Sequence, residues 1–182
     1  MKTNLLIAIY GVSFLLLVLS LITFFEEDRI HQLEYIIAEE KIDAEVFESL
    51  KNTVLKDSNK ELSVIYFVRP QICAPCMAEI SEFSYLTNEY FGEENGHQII
   101  VVNTEFEEES EQLQKALNLG LNYEYKPEEI VYRFLSSYEL RELVGQMIII
   151  DNQKQTVKAR VILETSMPTE TQAKQNFLAQ IM

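Results

Sequence analysis

Leu62-Ser63-Val64-Ile65-Tyr66-Phe67-Val68, then Arg69-Pro70-Gln71-Ile72, then Cys73-Ala74-Pro75-Cys76-Met77-Ala78-Glu79-Ile80 is the stretch on which the fold turns. Its first seven residues are an apolar, β-branched and aromatic run, the composition of a central strand buried on both faces. Arg69-Pro70 ends the run, because proline brings no N–H to a sheet ladder. From Cys73 to Tyr90 the period changes: Ile80, Phe83, Leu86 and Tyr90 share one helical face, and Gly92 stops the helix. The chain's only two cysteines therefore sit two residues apart at the junction of a buried strand and a helix. That is where redox chemistry through a low-pKa thiolate is expected.

The chemistry follows from position. At the helix start the Cys73 sulfur faces unpaired N–H groups and the positive dipole end, which favour thiolate over thiol. Cys73 is then the attacking nucleophile. Cys76, one turn deeper, can attack the resulting mixed disulfide and release the reduced partner. Pro75 has its φ preset for a first helical turn and loses no hydrogen bond there. Ala74 and Pro75, between the cysteines, are expected to meet the substrate chain. The alternative is a structural pair that simply packs, or that shares a metal with a second subunit. Two cysteines and the distant His31 and His97 do not make a closed four-ligand zinc site within one chain. No metal and no dissociable cofactor is expected, the redox group being the Cys73/Cys76 disulfide itself.

On the N-terminal side of this stretch, Ile30, Leu33 and Ile37, then Val46, Leu50 and Val54, recur at helical spacing. Two helices are expected there, Asp43 capping the second. Residues 26–60 thus read either as a helical stalk or as the leading helices of the domain that fills residues 61–182. Beyond the C-x-x-C helix, Gln98 to Val102 reads as a second buried strand and Glu107 to Leu117 as a helix with carboxylates in its first turn. A helix over about Glu128 to Leu143 follows. Gln146 to Asp151 and Thr156 to Leu163 read as a hairpin, and Thr169 to Ile181 as a last helix introduced by Pro168. The order β-α-β-α, then ββ-α, describes an α/β fold: a mixed central sheet with helices on both faces.

In front of this domain, behind a four-residue tail (1–4), Leu5 to Phe25 is an uncharged run of about 21 residues, enough as a helix to cross roughly 30 Å of hydrocarbon. It reads as an uncleaved transmembrane anchor in the lipid bilayer; a cleaved signal peptide has a shorter apolar core and a small-residue cleavage site. Lys2 and Arg29 flank it almost symmetrically, but the short tail and large acidic domain favour a cytoplasmic N-terminus. The expected location is the cell inner membrane, single-pass, with the domain periplasmic or otherwise extracytoplasmic, where disulfides persist. A formal charge of −14, from 29 acidic against 15 basic residues, repels phosphate backbones. Nucleic acid is not an expected partner. Glu26-Glu27-Asp28 and Glu107-Glu108-Glu109 read as solvated faces.

With strand, C-x-P-C, helix and later hairpin in place, the domain resembles thioredoxin. Cys73-Ala74-Pro75-Cys76-Met77-Ala78-Glu79 is similar to the C-x-x-C-x-x-E signature of the TlpA/ResA-like membrane-anchored thiol-disulfide oxidoreductases. The likeness continues weakly through Ile99–Asn103, Leu119–Tyr123 and Ile148–Asp151. It implies reduction of disulfides in cysteine-containing envelope proteins, with a membrane electron donor or acceptor as second partner. It places the family's motif glutamate on Glu79, to tune the cysteines or assist proton transfer; a solvent-facing helix carboxylate is the alternative. The chain departs from the pattern at Ser81, where the family has proline, and at Phe67, where many thioredoxins keep a buried acid. Val144-Gly145 stands where the substrate-contacting cis-proline loop is expected, and a cis bond before glycine is costly, so a trans loop is expected. Arg69 replaces a common aromatic residue. A membrane-anchored oxidoreductase is the leading expectation. A tethered, non-enzymatic binding or redox-sensing module is the competing one, and a thiol peroxidase a third.

Overall fold

The computed structural model describes residues 35–56, 59–92, 95–125, 127–137, 145–163 and 170–181. Its strands are β1 (Tyr35–Lys41), β2 (Leu62–Val68), β3 (Gly96–Val102), β4 (Asn122–Tyr125), β5 (Gln146–Asp151) and β6 (Thr156–Ile162). Its helices are α1 (Ala44–Thr53), α2 (Ala74–Phe91), α3 (Glu107–Leu117), α4 (Glu129–Ser136) and α5 (Thr171–Ile181). One mixed sheet runs β1-β6-β5-β2-β3-β4, with β2, β3 and β4 parallel and the β5–β6 hairpin antiparallel to its neighbours.

Strand β2 is buried along its whole length, as its mostly apolar run requires. The pleat divides it between two cores. Leu62, Val64, Tyr66 and Val68 pack with Ile80, Phe83 and Leu86 of α2, Leu113 of α3 and Phe177 and Leu178 of α5. Ile65 and Phe67 pack on the other face with Phe47 and Leu50 of α1 and Val131 and Leu135 of α4. Each fully buried aromatic or aliphatic side chain stabilises by about 1.5–3 kcal/mol, so β2, serving both layers, anchors the sheet. A buried polar link fixes α2 on it. The Tyr66 hydroxyl donates to Gln98 Oε1 at 2.8 Å, and Gln98 Nε2 donates to the Ser84 carbonyl at 3.1 Å and Asn88 Oδ1 at 2.7 Å.

Three expectations change. Tyr35–Lys41 is a strand, not a helix, and its Ile36-Ile37 pair suits the pleat better than a helix. It gains its backbone partners from β6, which is distant in sequence. Arg160 reaches Glu40 at 3.3 Å and Lys154 reaches Glu39 at 3.1 Å across this region. Residues 35–56 thus belong to the sheet and its core rather than to a stalk. Strand β4 was not expected: Asn122-Tyr123-Glu124-Tyr125 is a four-residue edge, too short for a periodic signal. Helix α4 ends at Ser136, and residues 138–143 of the longer helix expected there lie outside the described residues.

The remaining elements stand as read, including the Asp43 cap, whose carboxylate accepts from the Glu45 N–H at 2.9 Å. Gly92, at φ 73°, closes α2 in a conformation that favours glycine. The stretch 5–25, His31 and Pro168 lie outside the described residues, among which no helix is long and apolar enough to cross a membrane.

Candidate functional site

The site forms where β2 ends in the middle of the sheet and α2 begins. Cys73 is the N-cap of α2, with φ −69° and ψ 152°, and its Sγ accepts from the Cys76 N–H at 3.2 Å. Its carbonyl accepts from the Met77 N–H at 2.9 Å. The cap position usually filled by a Ser or Asp oxygen is thus filled by sulfur. Cys73 and Cys76 form a disulfide. Cys73, Ala74 and Pro75 are exposed, whereas Cys76 is only 6% exposed. One cysteine is open to solvent and the other sits behind it. The backbone N–H that faces Cys73 stabilises negative charge there once the pair is reduced.

Behind the cysteines the helix carries an ionic cluster. Glu79, three residues after Cys76 on the buried side of α2, is 2% exposed. Its carboxylate lies 2.8 Å from the ammonium of Lys174 on α5, a lysine whose side chain is fully buried. Lys174 also pairs with Glu82, which accepts from the Thr171 hydroxyl as well, and sits 5.6 Å from the centre of the Phe83 ring. Burial opposes ionisation of Glu82, but the hydrogen bonds from Lys174 and Thr171 outweigh it and hold its carboxyl below the ordinary value. Glu79 is therefore not a solvent-facing carboxylate. Lys174 is not among the residues expected at the site, although a signal exists: Lys174, Phe177, Leu178 and Ile181 are spaced i, i+3, i+4, i+7, which puts a lysine in the apolar stripe of α5.

Gly145 is buried immediately before β5, beside the loop that leads into Cys73. A Cβ there would stand 3.1 Å from Val68 Cγ1 and 3.5 Å from Ile72 Cδ1, and Ile72 adjoins Cys73. Its carbonyl accepts from the Leu163 N–H at 2.8 Å. Val144, and with it the expected trans loop, lies outside the described residues. Phe67 points into the opposite core, its ring 6.1 Å from that of Tyr132. Arg69 is half-buried and its Nε has no hydrogen-bond partner among the described residues. Ser81 lets α2 continue unbroken, its hydroxyl donating to the Met77 carbonyl at 2.9 Å.

His97 pairs with Ser63 near the start of β2, at the end of the strands away from the cysteines. Burial, and then the charge of Lys60, hold its imidazole below the ordinary value. Among the described residues no group of three or more His, Cys, Asp or Glu side chains is placed to hold a metal ion. On the α3 side of the cysteines, Ile72, Met77 and Leu113 with Glu109 and Gln112 line an open hollow of about 270 Å³.

No protein-family model and no curated protein matches the chain. Solved structures do. A Chlorobium tepidum protein assigned as thiol:disulfide interchange protein DsbE shares 12% identity over 70% of this chain and 82% of its own, with a TM-score of 0.51. A thiol:disulfide interchange protein from Bacteroides sp. shares 13% over 84% of this chain and 90% of its own, at 0.49. A secreted Mycobacterium tuberculosis disulfide oxidoreductase shares 12% over 66% and 81%, at 0.47. The fold is thioredoxin-like, as the resemblance at the motif implies.

Proposed function

We propose that this protein is a thiol-disulfide oxidoreductase, tethered to the inner membrane through residues 5–25 and acting on disulfides of envelope proteins. One observation carries the reading: an exposed Cys73 at a helix N-terminus is joined to a nearly buried Cys76. In the reduced protein the Cys73 thiolate attacks a substrate disulfide, forming a mixed disulfide and expelling the substrate's other sulfur as thiolate. Cys76, once deprotonated, attacks Cys73 Sγ, re-forms the Cys73–Cys76 bond and expels the second substrate sulfur. Two electrons pass to the substrate, whose two thiolates take up protons. A membrane dithiol donor then restores the pair.

The test is turnover with insulin as substrate and dithiothreitol as reductant. The wild-type protein is expected to accelerate insulin reduction, and Cys73→Ser and Cys76→Ser variants to lose that acceleration. A wild-type rate equal to that of dithiothreitol alone sinks the proposal.

The second reading, a tethered binding or sensing module, draws on Phe67 and Gly145. A reduced Cys73 with a pKa near the free value of about 8.5, together with no turnover, supports it.

A further inference from the structure

The strongest unassigned feature is the ammonium buried behind the cysteines. Lys174 belongs to the last helix, yet its charge is placed against α2, the helix that carries the disulfide. Its side chain is wholly buried, 2.8 Å from Glu79, and it also holds Glu82. Residues three apart on a helix have Cβ atoms about 5–6 Å apart, and Cys76 and Glu79 are both buried on α2. A carboxylate so close to the dithiol, without its cation, opposes thiolate formation, by on the order of one pKa unit or more for like charges at such distances.

We propose that Lys174 is a positioning residue for thiol-disulfide exchange: by pairing with Glu79 it hides that carboxylate from the Cys73/Cys76 dithiol and so preserves the reactive thiolate. The inference rests on the oxidoreductase reading. It assigns no bond-making step to Lys174, which acts only through Glu79. It also gives the C-terminal helix a chemical task besides covering the sheet.

The signs separate this role from a merely structural one. Lys174→Met removes the cation and leaves a bare carboxylate near the sulfurs, which disfavours thiolate and draws the equilibrium toward the disulfide. Glu79→Gln removes the carboxylate and leaves Lys174 with Glu82, which favours thiolate and draws it toward the dithiol. The double variant Lys174→Met/Glu79→Gln removes both charges and returns close to wild type. A packing defect has no reason to give opposite signs or to cancel.

The experiment is equilibration of the full chain in detergent with reduced and oxidised glutathione at pH 8, reading the dithiol fraction by thiol alkylation. The expected result is a shift of about tenfold in the equilibrium constant for each single variant, in opposite directions, equivalent to about 30 mV. The double variant is expected within threefold of wild type. If Lys174→Met does not fold, Glu79→Gln and the double variant still decide, since the first must shift toward dithiol and the second must not. Shifts of the same sign, or none beyond threefold, overturn the role of Lys174. A wild-type pair that never equilibrates with glutathione overturns the oxidoreductase reading instead.

Discussion

Replacing Lys174 with methionine is expected to destabilise the oxidised protein severely, by a route that can be worked through. The ammonium and the Glu79 carboxylate are 2.8 Å apart, and neither is accessible to more than a trace of water. At an effective dielectric near 20 their attraction is about 6 kcal/mol. Desolvation of both groups offsets most of that, so the pair contributes little net stability against an apolar substitute. Breaking it from one side is different, because the remaining carboxylate stays buried without its cation, which costs about 3–5 kcal/mol. Against a total stability of about 5–15 kcal/mol this is large. With a urea slope of about 2 kcal/mol per molar, the midpoint falls by about 1.5–2.5 M. Removing Glu79 as well takes away the orphaned charge, so Lys174→Met/Glu79→Gln recovers at least about 2 kcal/mol of the loss, a strong non-additivity between touching residues. Urea unfolding of wild type, both single variants and the double variant, all oxidised, reads these quantities. A Lys174→Met protein within about 1 kcal/mol of wild type, or a double variant that is simply additive, contradicts a buried Lys174–Glu79 pair of this kind.

Two further outcomes are expected. Because the His97 imidazole is held below its ordinary value in the folded protein, the unfolded chain takes up that proton first. Its contribution is present above the unfolded pKa of about 6.5 and lost as pH falls through the folded value, so His97→Gln flattens that part of the stability–pH profile measured by thermal melting. A Gly145→Val side chain starts from a Cβ already 3.1 Å from Val68 and 3.5 Å from Ile72, so overpacking costs about 1–3 kcal/mol and displaces Ile72 beside Cys73. Urea melts and insulin turnover are both expected to fall, and unchanged values in both contradict the close approach.

How much was legible in the sequence depended on how local the decisive interactions are. The β2 run, the C-x-x-C junction, the α2 stripe and the β5–β6 hairpin each rest on residues near one another in the chain, and all four were readable. Strand β1 is not legible locally, because helical spacing at Ile30, Leu33 and Ile37 competes with a pairing to β6 more than a hundred residues away. Propensity at Ile36-Ile37 pointed the right way, but only the β6 edge settles it. Strand β4 depends on β3 for its ladder and has too few residues to show a period.

At the site, the cysteines and their order of exposure follow from the helix start alone. The setting of Glu79 does not: position on α2 permits either solvent or core, and the docking of α5 decides. Lys174 was visible as a charge in an apolar stripe, yet nothing local reveals that it meets Glu79.

Trapping of mixed disulfides separates the roles of the two cysteines. Membranes carrying the Cys76→Ser protein, quenched in acid and resolved without reductant, are expected to show Cys73 joined to other proteins in bands that vanish on reduction. Cys73→Ser membranes are expected to show none, because buried Cys76 does not meet a partner chain. Equal trapping by both variants, or by neither, contradicts the assignment of Cys73 as nucleophile and Cys76 as resolving thiol.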